Sequence, residues 1–160
     1  MFREMRRAGQ ALDMEAVQAM LSQAGTGIFG VIGDGGYPYT VPVNFAYEDG
    51  KIYFHGSMTG HKVDAVKADS RVSFCVVGAD DVIAEDFTTA YQSVIAFGRA
   101  RIVDEPKEKR RSFDLIIQKY CPDFVEEAEK PIREGFDSTC VICVDIEHIT
   151  GKQGKKLVEA

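Results

Sequence analysis

One segment of the chain carries side chains that could bind a phosphate group. It runs from Lys51 to Lys67 and has the sequence K-I-Y-F-H-G-S-M-T-G-H-K-V-D-A-V-K. Its apolar start predicts a β-strand and its end predicts a short helix, so the polar centre is a strand-to-helix turn. Backbone N–H groups at a helix start lie at the positive end of the helix dipole, which suits an anion. Four side chains of the turn can add donors: Ser57, Thr59, His61 and Lys62.

This turn has a simpler interpretation. Strand-to-helix connections are often polar because they cap the helix, and Lys62 could be a solvated lysine. His55, on the preceding strand, could likewise be held by a backbone carbonyl and make no ligand contact. The residue types alone therefore leave both interpretations open.

Composition indicates one globular domain. Of the 160 residues, 45% are hydrophobic and 28% are charged, which is enough apolar material for one core. The formal net charge of -6 argues against broad affinity for nucleic acid. No apolar run approaches the ~20 residues of a membrane-spanning helix, and no N-terminal signal peptide is evident. We therefore expect a cytoplasmic protein that binds neither nucleic acid nor a membrane.

The four cysteines have no spacing typical of a disulfide framework, and we expect them to be reduced. Cys140 and Cys143 form a C-x-x-C, but the surrounding T-C-V-I-C-V-D-I is a β-branched strand pattern. Residues three apart on a strand point to opposite faces. This favours two core cysteines over a zinc or redox site, and no metal site is expected.

Periodicity and turn signals divide the chain into strands and helices. Asp49-Gly50 predicts a hairpin turn, and Gly98 predicts a bulge or a close backbone approach. The helices are predicted at about residues 13–24, 63–68, 106–120 and 123–133. The strands are predicted at about residues 26–33, 37–47, 51–55, 71–77, 90–103 and 140–149. Residues 78–87 carry four acids without clear periodicity and predict a loop.

Several hairpin-connected strands with helices at wide intervals favour a mainly β fold. They fit an antiparallel barrel with peripheral helices better than a parallel sheet with alternating helices. We expect residues 1–150 to form this single domain. The lysine-rich residues 151–160 are expected to be a flexible C-terminal tail.

With these elements in order, the chain resembles the flavin-binding split-barrel family that includes pyridoxamine 5'-phosphate oxidase. Within that family it is similar to the 5-nitroimidazole-resistance (Nim) branch. The resemblance is carried by F-R-E-M-R-R, G-D-G-G-Y-P-Y-T-V-P-V-N-F, D-G-K-I-Y-F-H-G-S-M-T-G-H-K-V-D-A, R-V-S-F-C-V-V and S-V-I-A-F-G-R-A-R-I-V. A weaker match is V-D-I-E-H-I-T-G-K near the C-terminus.

The resemblance implies a homodimer of six-stranded antiparallel split barrels, with FMN in two grooves between the subunits. Ser57 and Lys62 match family positions that contact the phosphate, and four more residues share their turn: His55, Gly56, Thr59 and His61. The flavin ring would meet main-chain groups of Thr40, Val41, Pro42 and Val43. Pro42 supports this independently, because a proline inside a strand cannot donate to the ladder and is confined to edges or bulges.

The implied function is that of an FMN-dependent oxidoreductase, such as a reductase of nitroaromatic or nitroimidazole-like small molecules. The flavin would carry the redox chemistry, and His61 is the candidate proton donor. Pyridoxamine phosphate is a poor candidate substrate, because no arginine-containing motif for its phosphate follows Cys140. The alternative is a non-catalytic protein of the same fold that binds flavin or haem, with His55, His61 and His148 as the available nitrogen ligands.

The N-terminal segment carries three arginines, Arg3, Arg6 and Arg7. Because the resemblance extends to this segment, we expect it to fold over the active site as an arm. Disorder of the segment is the alternative.

Overall fold

The computed structural model describes residues 1–158, which contain eight β-strands and five α-helices. The strands are β1 Ala11–Leu12, β2 Gly27–Ile32, β3 Pro38–Val43, β4 Ala46–Glu48, β5 Lys51–Ser57, β6 Arg71–Ile83, β7 Thr88–Ile102 and β8 Thr139–Gln153. The helices are α1 Met14–Gln23, α2 His61–Ala68, α3 Pro106–Tyr120, α4 Val125–Gly135 and α5 Lys155–Val158. Within residues 1–158 no helix is both long enough and apolar enough to cross a membrane.

All the strands belong to one antiparallel sheet. Its order is β3-β2-β6-β7-β8-β5-β4, and β1 pairs separately with β8. Six strands have six residues or more, whereas β1 and β4 have two and three. The predicted antiparallel arrangement of six main strands with peripheral helices is therefore confirmed, with two short strands added. Strand β3 lies at one end of this order.

The core lies on both faces of the sheet. The larger cluster includes Ile52 and Phe54 of β5, and the smaller cluster includes Tyr53 from the same strand, which faces α3. This alternation follows from the two-residue period of a strand. It also separates the C-x-x-C cysteines, because Cys140 belongs to the larger cluster and Cys143 to the smaller one. The interpretation of both as core residues is confirmed.

Helices α1 and α3 begin where the sequence predicts, whereas α2 and α4 begin two residues away from their predicted starts. The N–H of Ala16 donates to the Asp13 side chain at 2.8 Å and so caps α1, which buries Val17, Met20 and Leu21. Helix α3 starts at Pro106, as expected for a residue that has no N–H to lose.

Helix α3 is fastened to the sheet by a polar network. Arg101 of β7 donates to Glu108 of α3 and to Asp145 of β8, and the Tyr53 hydroxyl donates to Glu108 at 2.9 Å. The hydrogen bond from Arg101 lowers the pKa of the Glu108 carboxyl. This network joins α3 to β5, β7 and β8 beside the smaller core cluster, to which Phe113 of α3 belongs.

The predicted loop at 78–87 is wrong. Strand β6 continues to Ile83 and pairs with β7 as far as Thr88, so this segment is mostly a hairpin with a short 3₁₀ turn at Ala84–Asp86. A bulge between Val77 and Ala79 lies at the start of the extension. The pattern was missed because most of this ribbon is exposed, and acidic residues there replace the apolar alternation of a half-buried strand.

Two strand boundaries also differ from the prediction. The strand expected at 37–47 is interrupted after Val43. The hydroxyl oxygen of Tyr120 in α3 accepts the N–H of Phe45 at 2.9 Å, so this N–H does not pair with a neighbouring strand. Strand β8 extends to Gln153, and α5 follows it, so the expected domain boundary at residue 150 falls inside a strand. Residues 159 and 160 lie outside the described part of the chain.

Candidate functional site

The turn between β5 and α2 gathers most of the predicted phosphate-binding residues. Strand β5 ends at Ser57, and α2 begins at His61. Between them, Gly60 has φ 121° and ψ 172°, a conformation that is essentially restricted to glycine. The Ser57 hydroxyl accepts the N–H of Thr59 at 3.3 Å, which closes the turn on itself.

The start of α2 has the donors that an anion needs. No side chain caps this helix, and the first N–H groups of any helix have no intrahelical partner. Lys62 is half-buried in the first turn, and it forms no ion pair with any residue in the described part of the chain. The turn can therefore offer backbone N–H groups and one ammonium group to a phosphate.

His61 joins this turn to the connection between β2 and β3. Its Nε2 accepts the N–H of Asp34 at 3.2 Å, and its ring stacks on the Tyr39 ring at a centroid distance of 4.2 Å. A Cβ placed on Gly33 would lie 2.7 Å from Nε2, so glycine permits this close approach. The first residue of α2 and the edge strand β3 are thereby held together.

This geometry bears on the expected role of His61 as a proton donor. Because Nε2 accepts a hydrogen bond, the neutral ring carries its proton on Nδ1. A protonated ring would have to exchange the Asp34 N–H for another partner, such as the Asp34 carboxylate, whose Oδ1 lies 3.9 Å away. The proton-donor role stays untested, and the acceptor role of Nε2 favours the alternative that His61 positions the turn.

We expect His61→Ala to act mainly on the turn. It removes one hydrogen bond and one ring stack, which are worth about 0.5–1.5 kcal/mol each. The midpoint temperature of thermal unfolding should therefore fall by several degrees. The rate at which a nitro compound reoxidises bound flavin should fall less than tenfold. A slowing of about 10²–10⁴-fold in stopped-flow measurements would instead identify His61 as a general acid.

Strand β3 leaves main-chain groups unpaired at the edge of the sheet. The N–H of Gly33 donates to Tyr37 at 2.8 Å, so the next pair, Ile32 with Pro38, is a non-hydrogen-bonded pair. By the same alternation, the N–H and C=O of Thr40 point away from β2, and Pro42 places its nitrogen at the same free edge. The structure thus gives the predicted flavin-contacting strand an open edge, and the contact itself stays a prediction.

A groove of about 400 Å³ lies beside this edge on the outer face of the sheet. The strand register places four residues in one row across β3, β2, β6 and β7: Thr40, Gly30, Ser73 and Phe97. All four line the groove. Arg71 lies at the same groove and pairs with Asp69. Sequence analysis missed Arg71, Ser73 and Phe97, because only the strand register shows that they are neighbours of Thr40.

His55 is the predicted site residue that faces a different environment. It lies on β5 with its ring 6.0 Å from that of Phe113 in α3, and burial lowers the pKa of its imidazole. Alternation along β5 gives it the same orientation as Tyr53, toward α3. The structure therefore associates His55 with the α3 face, whereas His61 contacts the β2–β3 connection.

The N-terminal segment lies along the outer face of β7 and β8. The Phe2 ring stacks on His148 at 4.8 Å and on Phe97 at 5.5 Å. Because Phe97 also lines the groove, the arm that carries Arg3, Arg6 and Arg7 reaches the border of the candidate site.

Comparison with known proteins gives one family and many shared folds. The family model for pyridoxamine 5'-phosphate oxidase matches residues 13–153. A comparison with curated proteins gave no match.

Solved structures with the same fold include proteins from three bacteria. One from Bacteroides thetaiotaomicron VPI-5482, provisionally named a 5-nitroimidazole antibiotic resistance protein, is 23% identical with a TM-score of 0.77, covering 89% of this chain and 86% of that one. The flavocytochrome Anf3 from Azotobacter vinelandii is 22% identical with a TM-score of 0.81, covering 96% and 73%. An FAD and haem binding protein from Mycobacterium smegmatis is 18% identical with a TM-score of 0.79, covering 92% and 74%.

These findings confirm the predicted family and its mainly antiparallel split-barrel fold. Because these identities are low, the solved structures show only that the fold is shared. The family model covers most of the sequence, from the cap of α1 to the last residue of β8. The chain therefore belongs to the pyridoxamine 5'-phosphate oxidase family.

Proposed function

We propose that the protein is an FMN-dependent oxidoreductase that reduces small, electron-poor compounds of the nitroaromatic or nitroimidazole type. The observation that carries this proposal is the contact between His61 and Tyr39, which joins an uncapped helix start to an open strand edge. The helix start suits a phosphate, and the edge can offer N–H and C=O groups to a flavin ring. Both parts of FMN thus have a complementary surface.

The residues of the two elements fit FMN in type and placement. Lys62, Ser57 and the first N–H groups of α2 would hold the phosphate, with Gly56 and Thr59 on the same turn. The edge of β3 from Thr40 to Val43 would hold the ring through its main chain. The flavin supplies the electron and hydride transfer when it is bound, while the protein binds and orients it. The proposal does not depend on His55.

We also propose that the protein is a homodimer. The outer face of the sheet carries exposed large apolar side chains that no helix covers, among them Ile32 and Ile95 at 44% and 41% exposure. Such a face is typical of an interaction surface, and a second copy can cover it with two-fold symmetry. The groove beside β3 opens on this same face, so the partner would also cover the flavin.

The dimer proposal predicts a mass of about twice 17.7 kDa in light scattering. Replacing Ile95 by Glu places a charge on this face, where a desolvated, unpaired charge is costly, and should shift the protein toward the monomer. Lys107→Glu, on the exposed start of α3, is the control and should leave the mass unchanged. A wild-type monomer that binds FMN with full affinity would contradict a site between subunits.

Catalysis is tested by steady-state turnover of the purified protein with a reduced nicotinamide and a nitroaromatic compound. The proposal predicts consumption of the nicotinamide that depends on both the nitro compound and FMN. If the protein is saturated with FMN and shows no turnover, it binds flavin but lacks the proposed activity.

A second candidate function is a carrier or sensor of flavin or haem. It is supported by the fold that the chain shares with a flavocytochrome and with an FAD and haem binding protein. His55, His61 and His148 are the histidines of the chain, and the three lie in different surroundings. Haem titration of the protein, read from the visible spectrum, tests this candidate directly.

A further inference from the structure

The N-terminal arm places an aromatic ring on top of two rings that belong to the sheet. Phe97 and His148 are paired across β7 and β8, with ring centroids 6.4 Å apart and planes 25° apart. The Phe2 ring lies on His148 with an interplanar angle of 9° and on Phe97 with an angle of 22°. The two sheet rings therefore form a nearly flat floor, and Phe2 covers it.

This floor is continuous with the groove beside β3. Phe97 is paired with Ser73, and Ser73 is paired with Gly30, which brings the row to the groove wall at Thr40. A Cβ on Gly30 would lie 2.7 Å from the Ser73 hydroxyl oxygen, so a larger residue would disturb the row. Because Gly30 and Ser73 have small side chains, little projects from this part of the sheet, and a planar molecule can lie along it.

Phe2 is held mainly by its ring contacts. Residues 1–5 have no regular secondary structure, and 41% of Phe2 remains exposed to solvent. Phe97, beneath it, remains 39% exposed. Among the ion pairs of residues 1–158, none involves Arg3, Arg6 or Arg7. A ring that is held by stacking, in a segment without regular secondary structure, can be replaced by another ring.

We infer that the floor formed by Phe97 and His148 is a binding site for a planar, electron-poor aromatic ring, and that Phe2 occupies this site in the present structure. An electron-poor ring suits the negative face of the Phe97 ring. Ser73, in the adjoining groove, can donate a hydrogen bond to a nitro or carboxylate substituent, and Arg71, whose Nε and Nη2 donate to Asp69, adds a positively charged group beside it. The identification of this ring as that of a substrate rests on the proposed function.

The test uses 4-nitrobenzoate as the probe and cyclohexanecarboxylate as a saturated control of similar size. Each is titrated into the FMN-supplemented full-length protein, and backbone amide NMR shifts report where it binds. We expect 4-nitrobenzoate to shift amides of β7 and β8 near Phe97 and His148. Phe97→Leu, which keeps an apolar side chain without the ring, should weaken binding about two- to tenfold.

Phe2→Ala should change affinity in the opposite direction, because it removes the ring that competes for the floor. We expect binding of 4-nitrobenzoate to tighten by a similar factor. Phe87→Leu makes the same ring-to-aliphatic change at an exposed position on the tip of the β6–β7 hairpin and should leave the affinity unchanged. The same amide spectra show whether each variant keeps its fold.

Three results would overturn the inference: equal binding of the two probes, shifts confined to other parts of the chain, or weaker binding in Phe2→Ala. A protein that binds 4-nitrobenzoate at this floor but does not reduce nitroaromatics supports the site and removes the proposed activity. Failure of the inference and failure of the proposed function are thus seen in separate measurements.

Discussion

Replacing Lys62 by Ala should weaken FMN binding roughly ten- to hundredfold. The substitution removes the ammonium group from the first turn of α2, and hydrogen bonds to charged groups contribute about 1.5–3 kcal/mol. Because Lys62 has no carboxylate partner in the described part of the chain, its loss leaves no buried charge unpaired. Titration of apo-protein with FMN, followed by quenching of flavin fluorescence, measures the effect.

Two comparisons isolate the phosphate contact. Riboflavin has the same ring without a phosphate, so its affinity should be nearly equal in the wild type and in Lys62→Ala. Lys67→Ala changes an exposed lysine in the last turn of the same helix and should leave FMN affinity unchanged. Equal FMN affinity in wild type and Lys62→Ala would remove Lys62 from the site.

Replacing Gly98 by Ala should strongly destabilise the fold. A Cβ at this position would lie 2.2 Å from the backbone oxygen of Asp145, where a bulge shifts the pairing of β7 and β8. The obstacle is backbone in a central pair of strands, so it cannot move aside as a flexible side chain would. Overpacking usually costs about 1–3 kcal/mol, and we expect the upper end, or roughly 6–12 °C in thermal midpoint.

Gly56→Ala is the matched control, because it also adds one methyl group to a strand glycine. No atom lies within 4 Å of a Cβ at Gly56, so the midpoint should change little. Thermal unfolding of both variants by circular dichroism gives the comparison. A Gly98→Ala protein as stable as the wild type would mean that β7 and β8 pair in a different register.

The sequence predicted most elements because local signals agreed with the final fold. Asp13 and Pro106 mark helix starts by their backbone chemistry, and Gly98 marks the bulge. The extension of β6 was missed, because an exposed ribbon needs no apolar alternation. The interruption after Val43 was missed for a different reason, since the partner of the Phe45 N–H is Tyr120, which is 75 residues away.

In the candidate site, too, the local features were predicted and the features that depend on distant parts of the chain were missed. The turn from Ser57 to Lys62 is local, so spacing alone placed its donors together. The stacking of His61 on Tyr39 and the row from Thr40 to Phe97 depend on which strands are neighbours. The order of the strands in the sheet comes from the structure, so these neighbours were not predicted from the sequence.

The flavin site is tested most simply by the visible absorption spectrum of the freshly purified protein, with chromatographic identification of any cofactor released on denaturation. A flavin site in this protein predicts the two-banded spectrum of oxidised flavin and the release of FMN. A Soret band in its place would favour the haem carrier. A colourless protein that also fails to bind added FMN would contradict the central claim that the β5–α2 turn and the edge of β3 form a flavin site.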